Sequence, residues 1–362
     1  MRLGVEAALV DGRLVRGDVE VADGIVAAVG LENGGSGIAA PGFVDLQVNG
    51  FAGVDLAAAD AAGYLRVGEA LLETGTTAYQ PTFISAPEDH LVAALREVPS
   101  RDLGARVLGA HVEGPFLSPA RHGVHDPATF MPPDPGLLTR LLDAGPVRQM
   151  TLAPELPGAL ALIDALVARG ITVSAGHTDA SAAEAHLAFD RGVTTVTHLF
   201  NAMRRSTPRD PGIAMAALGR VDVTVQIIVD GHHVAPDTVL VAWRAAAGRL
   251  ALVTDAVAAA GMGDGAFRLG GQSVTASAGV VRGPEGQLAG SALTMIEAVR
   301  NLHALGATLE EALTAATSVP ARIAGRHDLG RLAPGAPADV VVLDDRLEIR
   351  RVLVGGGVRV AA

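Results

Sequence analysis

From Pro41 onward the chain alternates short apolar runs with helix-length segments. The runs cover 43–48, 76–83, 106–112, 149–153, 171–175, 193–198, 223–229 and 250–254, eight in all. Continuous apolar runs of this length suit strands buried on both faces, as in a parallel sheet covered by helices. Between them, Ser85-Ala-Pro-Glu88 reads as a capping box opening a helix that ends before Pro99. Asp179 to Arg191 reads as an Ala-rich helix stopped by Gly192. Eight such alternations predict an α/β fold, a (β/α)8 TIM-type barrel. A Rossmann sheet is the second candidate, weakened by the missing Gly-rich fingerprint after the first run.

The ends follow a different pattern. Residues 1–30 alternate and turn like short hairpins, with Val19-Glu-Val21 and Ile25–Val29 either side of Asp23-Gly24. Asn33-Gly-Gly-Ser-Gly37 reads as a linker. After Asp255 come hairpin-like pieces over 267–290, helices near 291–304 and 308–316, and a β-rich tail, Ala338–Leu343 and Val352–Val354. With β-rich ends around a barrel-like middle, 1–40 and 333–362 are expected to pair into a small β-sandwich domain. That leaves 41–332 for the barrel.

Composition narrows the picture. The chain is 49% hydrophobic but only 3% aromatic, so the core must be packed mainly with Ala, Val and Leu. A formal charge of −11 argues against a nucleic-acid partner. There is no Cys, which removes disulfides, thiolate nucleophiles and Cys-type zinc sites. There is also no Lys, so all 28 basic residues are Arg, and a metal bridge built on carboxylated lysine is chemically excluded. No secretory leader pattern and no run of 18 apolar residues occurs; the expectation is a cytoplasmic protein with no membrane partner.

Candidate chemistry sits at the C-terminal ends of the runs, the face on which barrel enzymes build their sites. Glu113 and His177 each follow one, and His198 ends another. A lone His at a strand end is more often a structural hydrogen-bonder. One carboxylate and two imidazoles on one mouth, however, are the set a catalytic divalent ion takes, with a position left for water. Zn²⁺ leads, and Fe²⁺ suits the same donors. Asp255 follows the eighth run, either as a general base or as a helix N-cap. His125, in the loop after Glu113, reads equally as a carbonyl-polarising group or a solvated histidine. Arg209 and His233 lie on loops after the sixth and seventh runs and suit an anionic group on a substrate. His111 shares a strand face with Glu113 and reads as a supporting partner of that site.

With those residues in place the chain resembles the N-acetylglucosamine-6-phosphate deacetylases of the amidohydrolase superfamily. The resemblance runs through Pro41–Gly50, His111-Val-Glu-Gly-Pro115, Ala175-Gly-His177, Thr197–Met203, Asp230–His233, Val253-Thr-Asp255, Leu288-Ala-Gly-Ser291 and Gly335–Asp339. It implies hydrolysis of an N-acetyl amino-sugar phosphate, with one divalent ion on Glu113, His177 and His198. Asp255 would be the acid/base and His125 the contact to the acetyl carbonyl. It also implies substrate contacts from Val124, Asn201, Ala202, Leu288, Ala289 and Gly290, with Arg209 and His233 on the phosphate. Arg209 would lie near the interface of a homodimer. Many amidohydrolases carry His-x-His at the end of the first strand; here the position reads Gln47-Val48-Asn49, which implies a mononuclear site. The rival expectations are a deacetylase for another N-acylated sugar or amino acid, and a non-catalytic scaffold.

Overall fold

A computed structural model describes residues 1–32 and 35–361, so Asn33 and Gly34 of the expected linker lie outside the described residues. Eight parallel strands form the central barrel: β1 (Phe43–Val48), β2 (Thr76–Ile84), β3 (Ala110–Glu113), β4 (Val147–Leu152), β5 (Thr172–Ala175), β6 (Val193–Val196), β7 (Thr224–Ile227) and β8 (Leu250–Leu252). Each is hydrogen-bonded to the next in order. Closure from β8 back to β1 uses single contacts rather than a ladder. The Asn49 N–H donates to the Ala256 carbonyl at 2.8 Å, and the Thr254 hydroxyl donates to Asp45 at 2.6 Å.

Helices follow the strands: α1 (Ala61–Glu73), α2 (Glu88–Glu97), α3 (Pro135–Ala144), α4 (Ala159–Ala168), α5 (Ala182–Asp190), α6 (Gly212–Gly219), α7 (Pro236–Ala245) and α8 (Met295–Ala304). Together they bury one apolar cluster dominated by Ala, Val and Leu, with Phe43, Tyr64, Tyr79, Phe83 and Phe116 among its few large rings. No helix among the described residues is long and apolar enough to cross a membrane.

Three local expectations shift. The third run breaks into Arg106–Val107 and β3, because the chain steps over between them at Gly109. A Cβ there would come within 2.4 Å of the Arg148 side chain and 2.6 Å of the Pro146 carbonyl, so only glycine fits. Ser85 does not cap α2, which begins at Glu88 after Pro87 with no side-chain cap. Its hydroxyl donates instead to the Glu113 carbonyl at 3.3 Å. Helix α5 starts at Ala182 on a Ser181/Glu184 capping box, since Asp179 is engaged by Arg121 and Arg204.

The two ends of the chain meet in one sheet. Its strand order is Arg13–Arg16, Ala7–Val10, Ile38–Pro41, Val340–Leu343, Ile349–Val354, Gly357–Ala361. The hairpin Asp18–Ala22/Ile25–Leu31 packs on it across a separate core that includes Leu3, Val5, Val19, Val26, Ala39, Val340 and Leu353. Arg106 locks this sheet to the barrel through a bidentate pair with Asp339, at 2.6 and 3.0 Å. A second small sheet, Gly265–Leu269, Gln272–Ser277 and Val280–Arg282, stands over the barrel mouth on its own apolar cluster.

Candidate active site

A cleft of about 240 Å³ opens at the C-terminal ends of the strands. Glu113, His125, His177, His198, His233 and Asp255 all line it. Glu113 is the last residue of β3, while His177 and His198 each lie two residues past β5 and β6, and Asp255 lies three past β8. His177, His198 and Asp255 have φ of 47°, 31° and 52°. A left-handed conformation is costly for a residue with a Cβ and recurs at functional sites. Here it ends each strand abruptly and turns the side chain over the barrel axis.

Four of these groups converge. Glu113 Oε1 lies 2.9 Å from His198 Nε2 and 3.2 Å from His177 Nε2, and the two imidazole nitrogens are 3.1 Å apart. His125 Nε2 is 3.7 Å from Glu113 Oε2, and Glu113, His125 and His177 hold ligand-type atoms within 4.8 Å of one another. Two triads can therefore be drawn, and hydrogen bonding separates them. His177 Nδ1 lies 2.9 Å from the Arg121 carbonyl, an acceptor only, so Nδ1 carries the proton and Nε2 presents a bare lone pair. His125 Nδ1 accepts the Ser85 N–H at 3.3 Å, which leaves its Nε2 as the protonated, donating nitrogen.

Electrostatics follow from this crowding. Burial pushes the Glu113 carboxyl up, but His125, His177 and His198 together outweigh it and hold it well below the usual carboxylate range. Burial and the neighbouring His125 push His177 down to about 4. His198 is pulled down by burial but raised overall by Glu113. Burial and the charge on Glu113 push Asp255 up to about 7.

The arrangement fits a single cation. Ligand atoms bound tetrahedrally at about 2.0–2.2 Å stand roughly 3.3–3.6 Å apart, close to the spacings of Glu113, His177 and His198. A single N–H on His198 Nε2 cannot satisfy both Glu113 and the bare His177 nitrogen. The remaining lone pair faces a carboxylate, a repulsive contact that a cation between them reverses. His198 Nδ1 is buried without a partner among the described residues.

Other expected residues divide. Val124, Asn201, Ala202, Leu288 and Gly290 line the cleft. Ala289 is fully buried in the small sheet's apolar cluster, since alternation along the segment turns its side chain away from the cleft. His233 is braced by Asp230, whose Oδ2 accepts from Nδ1 at 2.7 Å, so Nε2 faces the cleft. Arg209 is exposed on the 205–209 loop and does not reach the cleft of its own chain. Ile84, Gly123, Ile228, Leu269 and Gln287 line the cleft without having been singled out; the first four are small or apolar and carry no chemical signal in a sequence, and a lone Gln in a turn-rich segment carries little more. Gln47 and Asn49 do more than replace imidazoles. Gln47 Nε2 donates to both Glu113 oxygens at 3.3 Å, and Asn49 Nδ2 donates to Asp255 Oδ1 at 2.7 Å.

Comparison with known proteins agrees with this geometry. The model of the amidohydrolase family matches residues 38–359. The N-acetylgalactosamine-6-phosphate deacetylase of Escherichia coli O157:H7 is 36% identical, over 96% of this chain and 95% of that protein. The N-acetylglucosamine-6-phosphate deacetylase of Danio rerio is 39% identical, over 88% and 83%. Among solved structures, a mutant N-acetyl-D-glucosamine-6-phosphate deacetylase from Mycobacterium smegmatis, in complex with N-acetyl-D-glucosamine-6-phosphate, superposes with a TM-score of 0.94. It is 37% identical, and the match covers 100% of this chain and 99% of that one. The Thermotoga maritima N-acetylglucosamine-6-phosphate deacetylase gives a TM-score of 0.93 at 30% identity, covering 100% of both chains.

Proposed function

The chain belongs to the amidohydrolase family, and from that premise we propose that it hydrolyses the N-acetyl group of N-acetyl-D-glucosamine 6-phosphate, giving D-glucosamine 6-phosphate and acetate. The observation that carries this is one cleft holding a cation-ready Glu113–His177–His198 set beside a carboxylate with a raised pKa.

Glu113, His177 and His198 hold one divalent ion, Zn²⁺ in the first instance, with Fe²⁺ suited to the same donors. Such an ion supplies Lewis acidity to the carbonyl and acidifies water. The site is read as mononuclear because the Gln47 and Asn49 amide N–H groups already face the two carboxylates.

Asp255 keeps Oδ2 free, since Asn49 occupies Oδ1. Oδ2 takes a proton from the attacking water as its oxygen bonds to the acetyl carbon. It returns that proton to the sugar nitrogen as the C–N bond breaks. His125 Nε2–H donates to the acetyl oxygen as negative charge grows there. Asn201, Ala202, Val124 and the 288–290 segment hold the sugar. His233 Nε2 binds the 6-phosphate together with Arg209 of a second copy, which makes the working unit a homodimer. The division into 1–40 with 333–362 and 41–332 is likewise proposed, the small unit serving as a base for the barrel.

The test is a deacetylation assay on metal-quantified protein against N-acetylglucosamine, N-acetylgalactosamine and N-acetylmannosamine 6-phosphates and unphosphorylated N-acetylglucosamine. The gluco phosphate is expected to give the highest kcat/KM. A higher value for the galacto phosphate would move this chain to the specificity of the 36%-identical Escherichia coli relative. No release of acetate from any of them would overturn the reading.

A further inference from the structure

Beneath the cleft, the barrel interior carries a run of hydrogen bonds that the mechanism does not use. His111 is fully buried, two residues before Glu113 on the same face of β3. Its Nδ1 lies 3.1 Å from the Leu46 carbonyl and its Nε2 lies 2.7 Å from the Thr151 hydroxyl. Thr151 Oγ1 is 2.7 Å from Thr197 Oγ1, which is 2.5 Å from Ser174 Oγ. Thr151, Ser174 and Thr197 are all completely buried.

The direction of every bond is determined. A carbonyl only accepts, so His111 Nδ1 carries the proton given to Leu46, and the neutral ring's Nε2 must accept. Thr151 therefore spends its one hydrogen on His111. Thr197 must then donate to Thr151, and Ser174 to Thr197. The result is a one-way chain: Ser174 to Thr197 to Thr151 to His111 to the Leu46 carbonyl.

His111, Ser174 and Thr197 sit on or directly after the three strands that carry the cation set, and Leu46 and Thr151 come from two others. Leu46 precedes Gln47, Thr151 is the register partner of Glu113, Ser174 is three residues before His177, and Thr197 adjoins His198. Thr151 lies in β4 and Thr197 directly follows β6, and these strands are not neighbours in the sheet, so their contact crosses the barrel interior. Barrel interiors are normally filled by branched apolar side chains. Hydroxyls with fixed donor order instead set the distance between strands as well as filling space.

We infer that His111 is a positioning residue, and that the Ser174–Thr197–Thr151–His111 chain sets the separation of Glu113, His177 and His198. This rests on the cation reading above. Partners behind the ligands of a metal typically carry 10–100-fold of its affinity.

The experiment compares Zn²⁺ affinity, by competition with a chelator, in wild type, Thr151→Val, Thr151→Ser and Thr317→Val. Thr317 is also fully buried and hydrogen-bonded, to the Leu313 carbonyl far from the cleft, and controls for general loss of stability. Thr151→Val is expected to lose about 10–100-fold in affinity. Thr151→Ser should recover most of it, and Thr317→Val should lower Tm without changing affinity. Equal affinity in Thr151→Val and wild type overturns the inference, as does an equal loss in Thr317→Val. Wild type failing to bind Zn²⁺ would instead remove the cation reading itself. Should Thr151→Val not fold, ¹⁵N NMR of wild-type His111 decides: a bare Nε2 and protonated Nδ1 support the chain, and the opposite tautomer refutes it.

Discussion

Asn49 donates its side-chain N–H to Asp255 across 2.7 Å, joining the end of the first barrel strand to the end of the last. The contact leaves one Asp255 oxygen for chemistry and fixes where it points. Burial and the Glu113 charge favour the protonated form of this carboxyl, and the Asn49 bond opposes them. Asp255→Asn keeps the shape and removes the proton acceptor. Metal content should stay at the wild-type level while kcat falls about 10²–10⁴-fold. Near-normal kcat would leave Asp255 with a structural role alone.

Metal content tests the donor set. Glu113→Ala, His177→Ala and His198→Ala should each bind far less than the one equivalent of divalent ion expected for wild type, and lose activity in parallel. His125→Ala should keep its metal, because the nitrogen that faces the site carries a proton. Elemental analysis of dialysed protein separates these outcomes, and two tight equivalents in wild type would contradict the single-ion assignment.

Arg209 tests both the phosphate and the dimer. Loss of one charge-assisted hydrogen bond costs about 1.5–3 kcal/mol, roughly one to two decades in affinity. Arg209→Ala should raise KM by that factor for the phosphorylated sugar and change little for the unphosphorylated one. Mixing Arg209→Ala with Asp255→Asn subunits should restore low-KM activity, since each hybrid then pairs an intact Asp255 with a partner's intact arginine. No recovery on mixing would place Arg209 outside the neighbouring site.

Asp45 gives stability a pH dependence. It is fully buried, and burial pushes its pKa up to about 6 despite hydrogen bonds from Thr254 and Gln47. A carboxyl with a raised folded-state pKa contributes stability that is complete below the unfolded value. That contribution is lost as pH rises from about 4 through about 6. A shift of about two units corresponds to roughly 3 kcal/mol. Asp45→Asn, which cannot ionise, should therefore gain on wild type between pH 4 and 7. Urea unfolding at several pH values measures this, and a constant difference would exclude Asp45 as the source.

The sequence showed these features unevenly, for physical reasons. The barrel strands were legible because short runs rich in Val, Ile, Leu and Ala recur between helix-length segments, and Glu113, His177, His198 and Asp255 because they stand at the ends of such runs with chemistry-bearing side chains. Ser85 misled, since a capping-box pattern cannot reveal that the Glu113 carbonyl at the end of β3 and the His125 imidazole of the following loop claim its hydroxyl and N–H. The break at Gly109 depends on Arg148 and Pro146, which lie well downstream in the sequence. His111 was legible as a neighbour of Glu113, whereas its link to Thr197 exists only once non-adjacent strands face each other across the barrel.

The left-handed backbone at His177, His198 and Asp255 has a consequence for how this molecule changes under selection. Glycine at any of the three would relieve on the order of 1 kcal/mol of backbone strain, and it would also delete a group the proposed chemistry needs. Heat resistance and catalysis therefore pull these codons in opposite directions. A library selected only for survival on heating should accumulate substitutions there early, and should yield sturdy, inactive barrels.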